Sequence, residues 1–272
     1  MDTTRLSIGV IMPSRLQRIS PDDPGSPFFV ERAIASALAQ TAVQEGRAAL
    51  TFIVGVDADA EVPEAIAARP DVVLARSDAR SQVGALNAGI AAAGDRFDRI
   101  AFLEDDDRWD LSYLTWTLAA LKVHGFVSTT QLEVTEADQI VRINDFPTPS
   151  GWMMTPDTLR RVGAFDPAMR WHLDNEWLGR LAERGIGRCH LVELTAPTTL
   201  EAAHQVRPWL ANVLRNGGPA VTIMRHAQLA PLVIRLVHPR SGMGRIATDP
   251  ALAQQSTGEY EALVRRYGRI PW

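Results

Sequence analysis

The chain has 272 residues, of which 46% are hydrophobic and 22% are charged, and its formal net charge is −4. A chain of this length can bury a large core without disulfides or structural metals, and its net negative charge argues against a nucleic-acid-binding protein. The single cysteine, Cys189, excludes an internal disulfide and a cysteine-based zinc cluster, and no stretch approaches the ~20 apolar residues that span a bilayer, so we expect a soluble, cytoplasmic protein.

Strands and a helix are predicted over the first part of the chain. The segment Leu6 to Met12 is predicted as a buried strand, which Pro13-Ser14-Arg15 ends in a turn. A polar, proline-rich insertion, Ile19 to Pro27, is predicted as a mobile loop. The apolar spacing in Phe28 to Gln40 predicts an amphipathic helix, and Leu50 to Val56 is predicted as a second strand.

The next elements repeat the alternation of strands and helices. Val72 to Ala75 is predicted as a short strand, Val83 to Ala93 as a helix, and Ile100 to Leu103 as a further strand. This order favours a mostly parallel, doubly wound sheet, whose ligands lie beyond the carboxyl ends of its strands. The usual glycine-rich phosphate motifs are missing. Polar or acidic groups instead follow three of those ends, at Ser14, Asp57 and Asp106.

Negative charge gathers after the last of these strands, where the sequence reads Glu104-Asp105-Asp106-Asp107. Like charges this close repel and raise one another's pKa, so the cluster needs compensation from solvent, helix N-termini or a divalent cation. One interpretation is a metal site. The other is a solvated turn whose last acid, Asp110, caps a helix from Leu111 to about His124.

The second half of the chain is predicted to contain a small antiparallel part. Phe126 to Glu133 and Gln139 to Ile143 are predicted as two antiparallel strands. Thr155 is a predicted helix cap, and Gly163 ends that helix. Farther along, Asp174 is either the N-cap of a helix or a general base. The two roles are compatible, because a capping carboxylate is held in position and can still reach a substrate proton.

Taken together, these residues resemble the family 2 glycosyltransferases, which have the GT-A fold. The segments that carry the resemblance are Pro13 to Arg15, Ala33 to Gln40, Val54 to Asp57, Gly84 to Ile90, Phe102 to Trp109, Val162 to Asp166 and Asp174 to Arg180. They cover roughly residues 6–195. The sequence departs from the family pattern at Glu104, the first position of the D-x-D motif, at Leu86, where the family often has arginine, and at Leu173, where an acid usually precedes the catalytic aspartate.

The resemblance implies a metal-dependent, inverting transferase. It would move a sugar from a nucleoside-diphosphate sugar, with UDP favoured, to a hydroxyl of a saccharide or a lipid-linked acceptor. It implies Mn²⁺ or Mg²⁺ held by Asp106 and Glu104, with Asp174 as the catalytic base. Nucleotide contacts are implied at Pro13, Ser14, Arg15, Asp57, Arg80, Gly84, Asn87 and Asp105. Acceptor contacts are expected at Trp109, Trp152, Trp171 and His172, with a plain core position as the alternative for each tryptophan.

Residues 197–272 match no motif of this family and are predicted as a helical, Arg-rich extension of a domain formed by residues 1–196. Residues 201–272 hold nine arginines against four acidic residues, a net of +5 that leaves −9 on residues 1–200. Such a basic tail is either a solvated helical face or a peripheral contact with the inner face of a membrane. Its apolar residues could pack on a second copy, forming a homodimer, as readily as on their own domain: Leu229, Leu232, Val233 and Leu236.

Other functions stay open at the level of sequence. A nucleotidyltransferase would normally have a glycine-rich loop with arginine and lysine after the first strand, which Pro13 to Arg18 lacks. A retaining transferase of the same fold is closer. The non-enzymatic alternative is a catalytically degenerate domain that binds a nucleotide sugar or an assembly partner without turnover.

Overall fold

Two β-sheets organise the fold, and the computed structural model describes residues 5–197, 199–216 and 221–272. The strands in chain order are β1 (Leu6–Pro13), β2 (Ala48–Asp57), β3 (Val72–Ser77), β4 (Arg99–Phe102), β5 (Arg108–Trp109), β6 (Phe126–Thr129), β7 (Gln131–Val134), β8 (Ile140–Asn144), β9 (Met153–Met154), β10 (Arg188–Val192), β11 (Val221–Arg225) and β12 (Val233–Leu236).

The larger sheet has eight strands in the order β11-β10-β6-β9-β4-β1-β2-β3. Its neighbouring strands are parallel, except that β9 runs antiparallel between β4 and β6. The predicted mostly parallel α/β sheet with a small antiparallel part is therefore confirmed. Strand β1 lies inside the sheet and is buried from Ile8 onward, which explains its near-continuous apolar sequence.

The smaller sheet has four strands in the order β5-β12-β7-β8. The stretch predicted as one strand from Phe126 to Glu133 is divided at Thr130 into β6 of the larger sheet and β7 of the smaller one. The predicted antiparallel pairing with the next strand is confirmed between β7 and β8. Strand β12 lies between β5 and β7, so the C-terminal segment helps to build this sheet.

Helices cover the strands and form the C-terminal part. They are α1 (Phe29–Leu38), α2 (Thr41–Gln44), α3 (Glu64–Ala67), α4 (Gln82–Ala93), α5 (Tyr113–Ala120), α6 (Pro156–Val162), α7 (Leu173–Glu183), α8 (Leu200–Val206), α9 (Pro208–Asn216), α10 (Gly242–Thr248) and α11 (Pro250–Tyr267). Thr155 caps α6 and Gly163 ends it, as predicted. The prediction that Asp174 is an N-cap was wrong, because His172 is the N-cap of α7 and Asp174 lies in its first turn. Among the described helices, none combines the length and the apolar character needed to cross a bilayer.

Helix α4 lies unusually close to the larger sheet. A Cβ atom at Gly55 of β2 would lie 2.8 Å from the carbonyl carbon of Ala85 in α4, so only glycine permits this approach. Gly84, predicted to contact a nucleotide, has a packing role of the same kind, since a Cβ there would lie 2.6 Å from the Ser77 hydroxyl oxygen. The close contact fixes α4 over the strands whose ends carry the candidate site.

The C-terminal part, predicted as a helical extension, contains helices α8 to α11 and two strands as well. It supplies β11 to the larger sheet and β12 to the smaller one. The apolar stretch considered for dimerisation is largely buried in its own chain, since Leu232 and Val233 are 0% exposed and Leu236 is 5% exposed. The segment beyond residue 196 is therefore integrated into the fold through strand pairing as well as helix packing.

Most of the tail's arginines contact groups of their own chain. Arg207 lies between the buried carboxylates of Asp145 and Glu193. Contacts with described acceptors are also formed by Arg215, Arg225, Arg235, Arg240, Arg265 and Arg266. Much of the positive charge counted in the sequence therefore contributes to internal contacts.

Candidate active site

A cluster of carboxylates lies beyond the carboxyl end of β4. Glu104, Asp106 and Asp107 each present an oxygen within 4.8 Å of the other two. The Ser150 hydroxyl anchors the turn by accepting a hydrogen bond from the Glu104 N–H at 3.0 Å. Glu104 and Asp106 therefore lie together, as the motif predicted, and Asp107 joins them without having been assigned a role from sequence.

Burial controls the protonation of this cluster. Burial and the neighbouring Asp106 carboxylate raise the pKa of Glu104 to about 7. The same two causes raise the pKa of Asp105 to about 7, although a hydrogen bond from Ser14 opposes them. Asp107 is 1% exposed, and burial is again the first cause of its raised pKa. A cation or a proton that neutralises these groups would therefore lower the free energy of the site.

Two side chains from the C-terminal segment lie against the acids, and neither was identified from sequence. The positive charge of Arg235 in β12 opposes the rise in the pKa of both Glu104 and Asp107. His238, which follows β12, places Nε2 2.9 Å from Oδ2 of Asp106, and its side chain is 3% exposed. The β-branched pair Val233-Ile234 is the sequence signal that favours a strand here, although it does not identify the acids as neighbours.

Some residues predicted to contact a nucleotide meet where β1 and β4 end. The Ser14 hydroxyl donates a hydrogen bond to Asp105 at 2.6 Å and accepts one from the Leu16 N–H at 2.9 Å. Pro13 and Arg15 flank Ser14, and Asp105 also accepts a backbone hydrogen bond from Arg15. The first-strand turn and the acidic turn thus form one surface beside the carboxylate cluster.

The structure also places three other residues predicted to contact a nucleotide. Asp57 ends β2 and is half-buried, and Arg80 forms an exposed ion pair with Asp59. The Asn87 side chain donates to the Phe165 carbonyl at 2.9 Å and accepts from the Phe165 N–H at 2.8 Å. Because both ends of its amide are occupied, Asn87 joins α4 to the Phe165 backbone.

Asp174 lies within electrostatic reach of the acidic cluster, although it comes from the other half of the chain. Its charge contributes to the raised pKa of Glu104. Burial raises the pKa of Asp174 itself, and this shift is opposed by the Asn175 N–H, which donates to Oδ1 at 2.8 Å. Asp174 therefore holds a proton more strongly than an ordinary aspartate does.

A glutamate of α11 holds the segment that precedes Asp174. The Glu259 carboxylate accepts hydrogen bonds from the N–H groups of Arg170, Trp171 and His172 at 3.0, 2.8 and 3.1 Å. These donors lie at the N-cap of α7 and in the two residues before it, and none has a partner within the helix. Glu259 is 9% exposed. The position of Asp174 thus depends on a C-terminal helix that no motif identified.

The aromatic residues predicted to contact an acceptor differ in burial. Trp152 is 0% exposed and Trp109 is 3% exposed, and Trp109 stacks on Tyr113. Neither tryptophan has a ring face open to an acceptor, so both are corrected to core residues. Trp171 and His172 are half-buried next to α7. The two ring nitrogens of His172 lie 3.2 and 3.0 Å from side-chain oxygens of Asn175 and Ser256.

The insertion from Ile19 to Pro27 is tied down at its base. Arg18 and Phe28 form an isolated antiparallel bridge across it. The Arg240 guanidinium donates to the carbonyl oxygens of Arg18 and Ile19 at 3.2 and 3.1 Å. The C-terminal segment therefore supports this loop, which starts beside the Ser14 turn.

The donor set fits a hard divalent cation. Glu104, Asp106 and Asp107 offer carboxylate oxygens, which Mg²⁺ and Mn²⁺ prefer as ligands. Oδ2 of Asp107 is buried and has no hydrogen-bond partner among the described residues, so this oxygen is not committed to the protein. Arg235 lies among the acids as an internal counter-charge, but the carboxylates around it exceed its single positive charge.

Comparison with known proteins identifies the fold. No protein-family model matches the chain, and no curated protein matches its sequence. S. aureus TarS matches with a TM-score of 0.52 at 10% identity, over 96% of this chain and 44% of that chain. TarS 1–349 in complex with UDP matches with a TM-score of 0.51 at 10% identity, over 96% and 72%. A further structure of TarS 1–349 has a TM-score of 0.43 at 14% identity, over 65% and 55%. The chain thus spans only part of these proteins, and its architecture is a GT-A-like glycosyltransferase fold.

Proposed function

We propose that this protein is a metal-dependent glycosyltransferase that moves a sugar from a nucleoside-diphosphate sugar to an acceptor hydroxyl with inversion. The observation that best supports the proposal is the convergence of Glu104, Asp106 and Asp107 beyond β4 in a GT-A-like fold, with Asp174 within electrostatic reach. The TarS complex with UDP makes UDP the first nucleotide to test. The acceptor would be a saccharide or a lipid-linked hydroxyl.

On the donor side, Glu104, Asp106 and Asp107 would hold Mn²⁺ or Mg²⁺. Such a cation, when bound, supplies Lewis-acid stabilisation of a diphosphate leaving group. Asp105 and Ser14 would contact the ribose, since their hydrogen bond already places both polar groups beside the cluster. His238 would orient the Asp106 carboxylate through its Nε2 contact.

On the acceptor side, Asp174 would act as the general base. It would take the proton of the acceptor hydroxyl while that oxygen bonds to the anomeric carbon and the bond to the diphosphate breaks. One in-line displacement of this kind inverts the anomeric configuration. The raised pKa of Asp174, caused first by burial, makes it a stronger base than an exposed aspartate. Trp171 and His172 lie next to it and would border the acceptor.

The donor site is tested by the thermal stability of the full chain with nucleoside diphosphates, each with and without Mn²⁺. A ligand that binds only the native state raises Tm by mass action, so we expect an increase that needs one nucleotide and the metal together. Asp106→Asn should abolish this increase. Asp95→Asn, the same change at a side chain that is 82% exposed, should retain it. If no pair of nucleotide and metal raises Tm, the proposal is wrong, and a degenerate domain that binds an assembly partner is favoured.

The base is tested by turnover with sugar derivatives of the nucleoside diphosphate that the thermal experiment identifies. Asp174→Asn removes the proton acceptor and leaves the proposed metal ligands in place. We expect kcat to fall by about 10²–10⁴-fold while the increase in Tm with nucleotide and metal persists. NMR of the product reports the anomeric configuration. A retained anomer would contradict a single displacement and favour a retaining transferase.

A further inference from the structure

A nearly buried arginine lies at the amino ends of the strands of the larger sheet, whereas the acidic cluster lies at the carboxyl ends. Arg188 is the first residue of β10, which runs parallel to β6, so it lies at the amino end of the strands. Arg188 is 9% exposed. Among the described residues, no acceptor or acidic group contributes to its pKa. A buried guanidinium without a partner is costly, because its lost hydration is not replaced.

A second guanidinium, that of Arg269, lies at the same cavity as Arg188. Arg269, which follows α11, lines one cavity together with Arg188, and no described residue forms an ion pair with it. Burial, and then the like charge of Arg269, lower the pKa of Arg188 to about 10. This value is still above neutral pH, so both groups are charged under ordinary conditions. Two positive charges therefore share a cavity and repel each other.

Among the described side chains that line the cavity, the one carboxylate is already paired with another arginine. The volume of the cavity is about 120 Å³, and much of its wall is apolar or aromatic, formed by Leu178, Ile186, Tyr267, Pro271 and Trp272. Glu183 also lines the cavity, but its carboxylate is paired with Arg266 at 3.2 Å. Residues 217–220, which lie outside the described part of the chain, are Gly-Gly-Pro-Ala and carry no acidic side chain.

We propose that this cavity binds a phosphate group, separately from the proposed active site, and that Arg188 and Arg269 are its cationic contacts. Guanidinium groups bind phosphate oxygens through paired, charge-assisted hydrogen bonds. A phosphate dianion neutralises both charges, whereas a carboxylate neutralises only one. The apolar wall suits the organic part of a phosphate monoester, either a soluble one or the glycerol region of a lipid whose headgroup is a phosphate monoester. This site does not depend on the glycosyltransferase proposal.

Calorimetric titration of the full chain tests the proposal with three probes: inorganic phosphate, glycerol 3-phosphate, and phosphatidylcholine vesicles containing phosphatidic acid, whose headgroup is a phosphate monoester. EDTA is present throughout, so that no divalent cation contributes. Arg269→Gln and Arg188→Met should each raise the Kd of the bound probe about tenfold or more, because each removes charge-assisted hydrogen bonds. Arg269 is exposed, so its replacement should leave folding intact even if Arg188→Met does not.

Two control variants separate this site from other sources of binding. Arg265→Gln removes an arginine of α11 that is 71% exposed and lies outside the cavity lining, and it should leave the Kd unchanged. Asp106→Asn should also leave the Kd unchanged, because the acidic cluster lies at the opposite, carboxyl ends of the strands. Binding of the soluble probes assigns the site to a phosphate ester, and binding of vesicles alone assigns it to a lipid headgroup. If no probe binds, or if both cavity variants bind the probe with the same Kd as the unmodified protein, the proposal is overturned.

Discussion

Replacing Glu259 with glutamine should destabilise the protein and loosen the segment that carries Asp174. The Glu259 carboxylate accepts hydrogen bonds from the backbone N–H groups of Arg170, Trp171 and His172. A glutamine of the same shape has one accepting oxygen, and its NH₂ group would point at a donor. The loss of one charge-assisted hydrogen bond and the weakening of the others amount to about 2–3 kcal/mol.

Thermal unfolding measures this effect, with a matched control on the same helix. For a chain of this size, 1 kcal/mol lowers Tm by about 2–4 °C, so Glu259→Gln should lower Tm by about 4–12 °C. Glu261 is 61% exposed and lies 3.7 Å from Arg265, so Glu261→Gln should leave Tm almost unchanged. An equal decrease in Tm for the two variants would refute the role given to the backbone contacts of Glu259.

The same variant links stability to the proposed chemistry. Glu259 touches neither the acidic cluster nor the Ser14 turn, so Glu259→Gln should leave the KM for the donor nearly unchanged. Because it holds the backbone just before Asp174, kcat should fall. An increase in the donor KM with an unchanged kcat would mean that the contacts of Glu259 do not position Asp174.

Three further predictions concern packing and titration. Gly55→Ala should lower the free energy of unfolding by about 1–3 kcal/mol, because its methyl group would lie 2.8 Å from the Ala85 carbonyl carbon. Gly258→Ala should raise it by about 0.5–1 kcal/mol, because a Cβ at this position in α11 meets open space. Urea-unfolding midpoints measure both effects. Burial lowers the pKa of His190 to about 3, so the unfolded state binds a proton at this imidazole before the native state does, and stability falls as pH decreases below about 6.5. His190→Asn should reduce the slope of stability against pH in this range. An unchanged slope would contradict a buried, neutral His190. Cys189 is 0% exposed and burial raises the pKa of its thiol to about 12, so a thiol reagent should react only after denaturation, and rapid labelling of the native protein would contradict this.

The first half of the fold follows from local sequence patterns. The segments predicted from apolar runs, including Leu6 to Met12 and Leu50 to Val56, lie within β1 and β2. Both strands are inside a largely parallel sheet that is covered on its two faces, and such strands are recognisable as short apolar runs. The carboxylates of Glu104 and Asp106 could be placed for the same reason, since they directly follow a run of this kind.

The C-terminal contribution to the site could not be placed in the same way. Strand β12 pairs Val233 with Gln131 of β7 and with Trp109 of β5, and local spacing does not encode partners so distant in the chain. The β-branched residues of β12 favour a strand, but tertiary pairing decides whether a short segment becomes one. Arg235 and His238 reach the acids only through that pairing, so both escaped prediction.

The tryptophans show a different limit of sequence patterns. A tryptophan that packs in a core and one that contacts a sugar present the same apolar ring, so residue type does not separate the two roles. Trp152 is surrounded by Phe102, Phe126 and Trp177, with ring centroids 5.0 to 6.1 Å apart. Burial alone, which depends on the whole fold, excludes it from acceptor contact.

The binding of Mn²⁺ to the full chain, measured by EPR with and without UDP, tests most directly whether the acidic cluster is a metal and nucleotide site. The signal of free Mn²⁺ should decrease when protein is added, and with UDP it should decrease further than UDP alone accounts for, because the three carboxylates and the diphosphate would share the cation. Asp106→Asn should lose both effects, whereas Asp95→Asn should keep them. Equal Mn²⁺ binding by the unmodified protein and Asp106→Asn would contradict the assignment of the cluster.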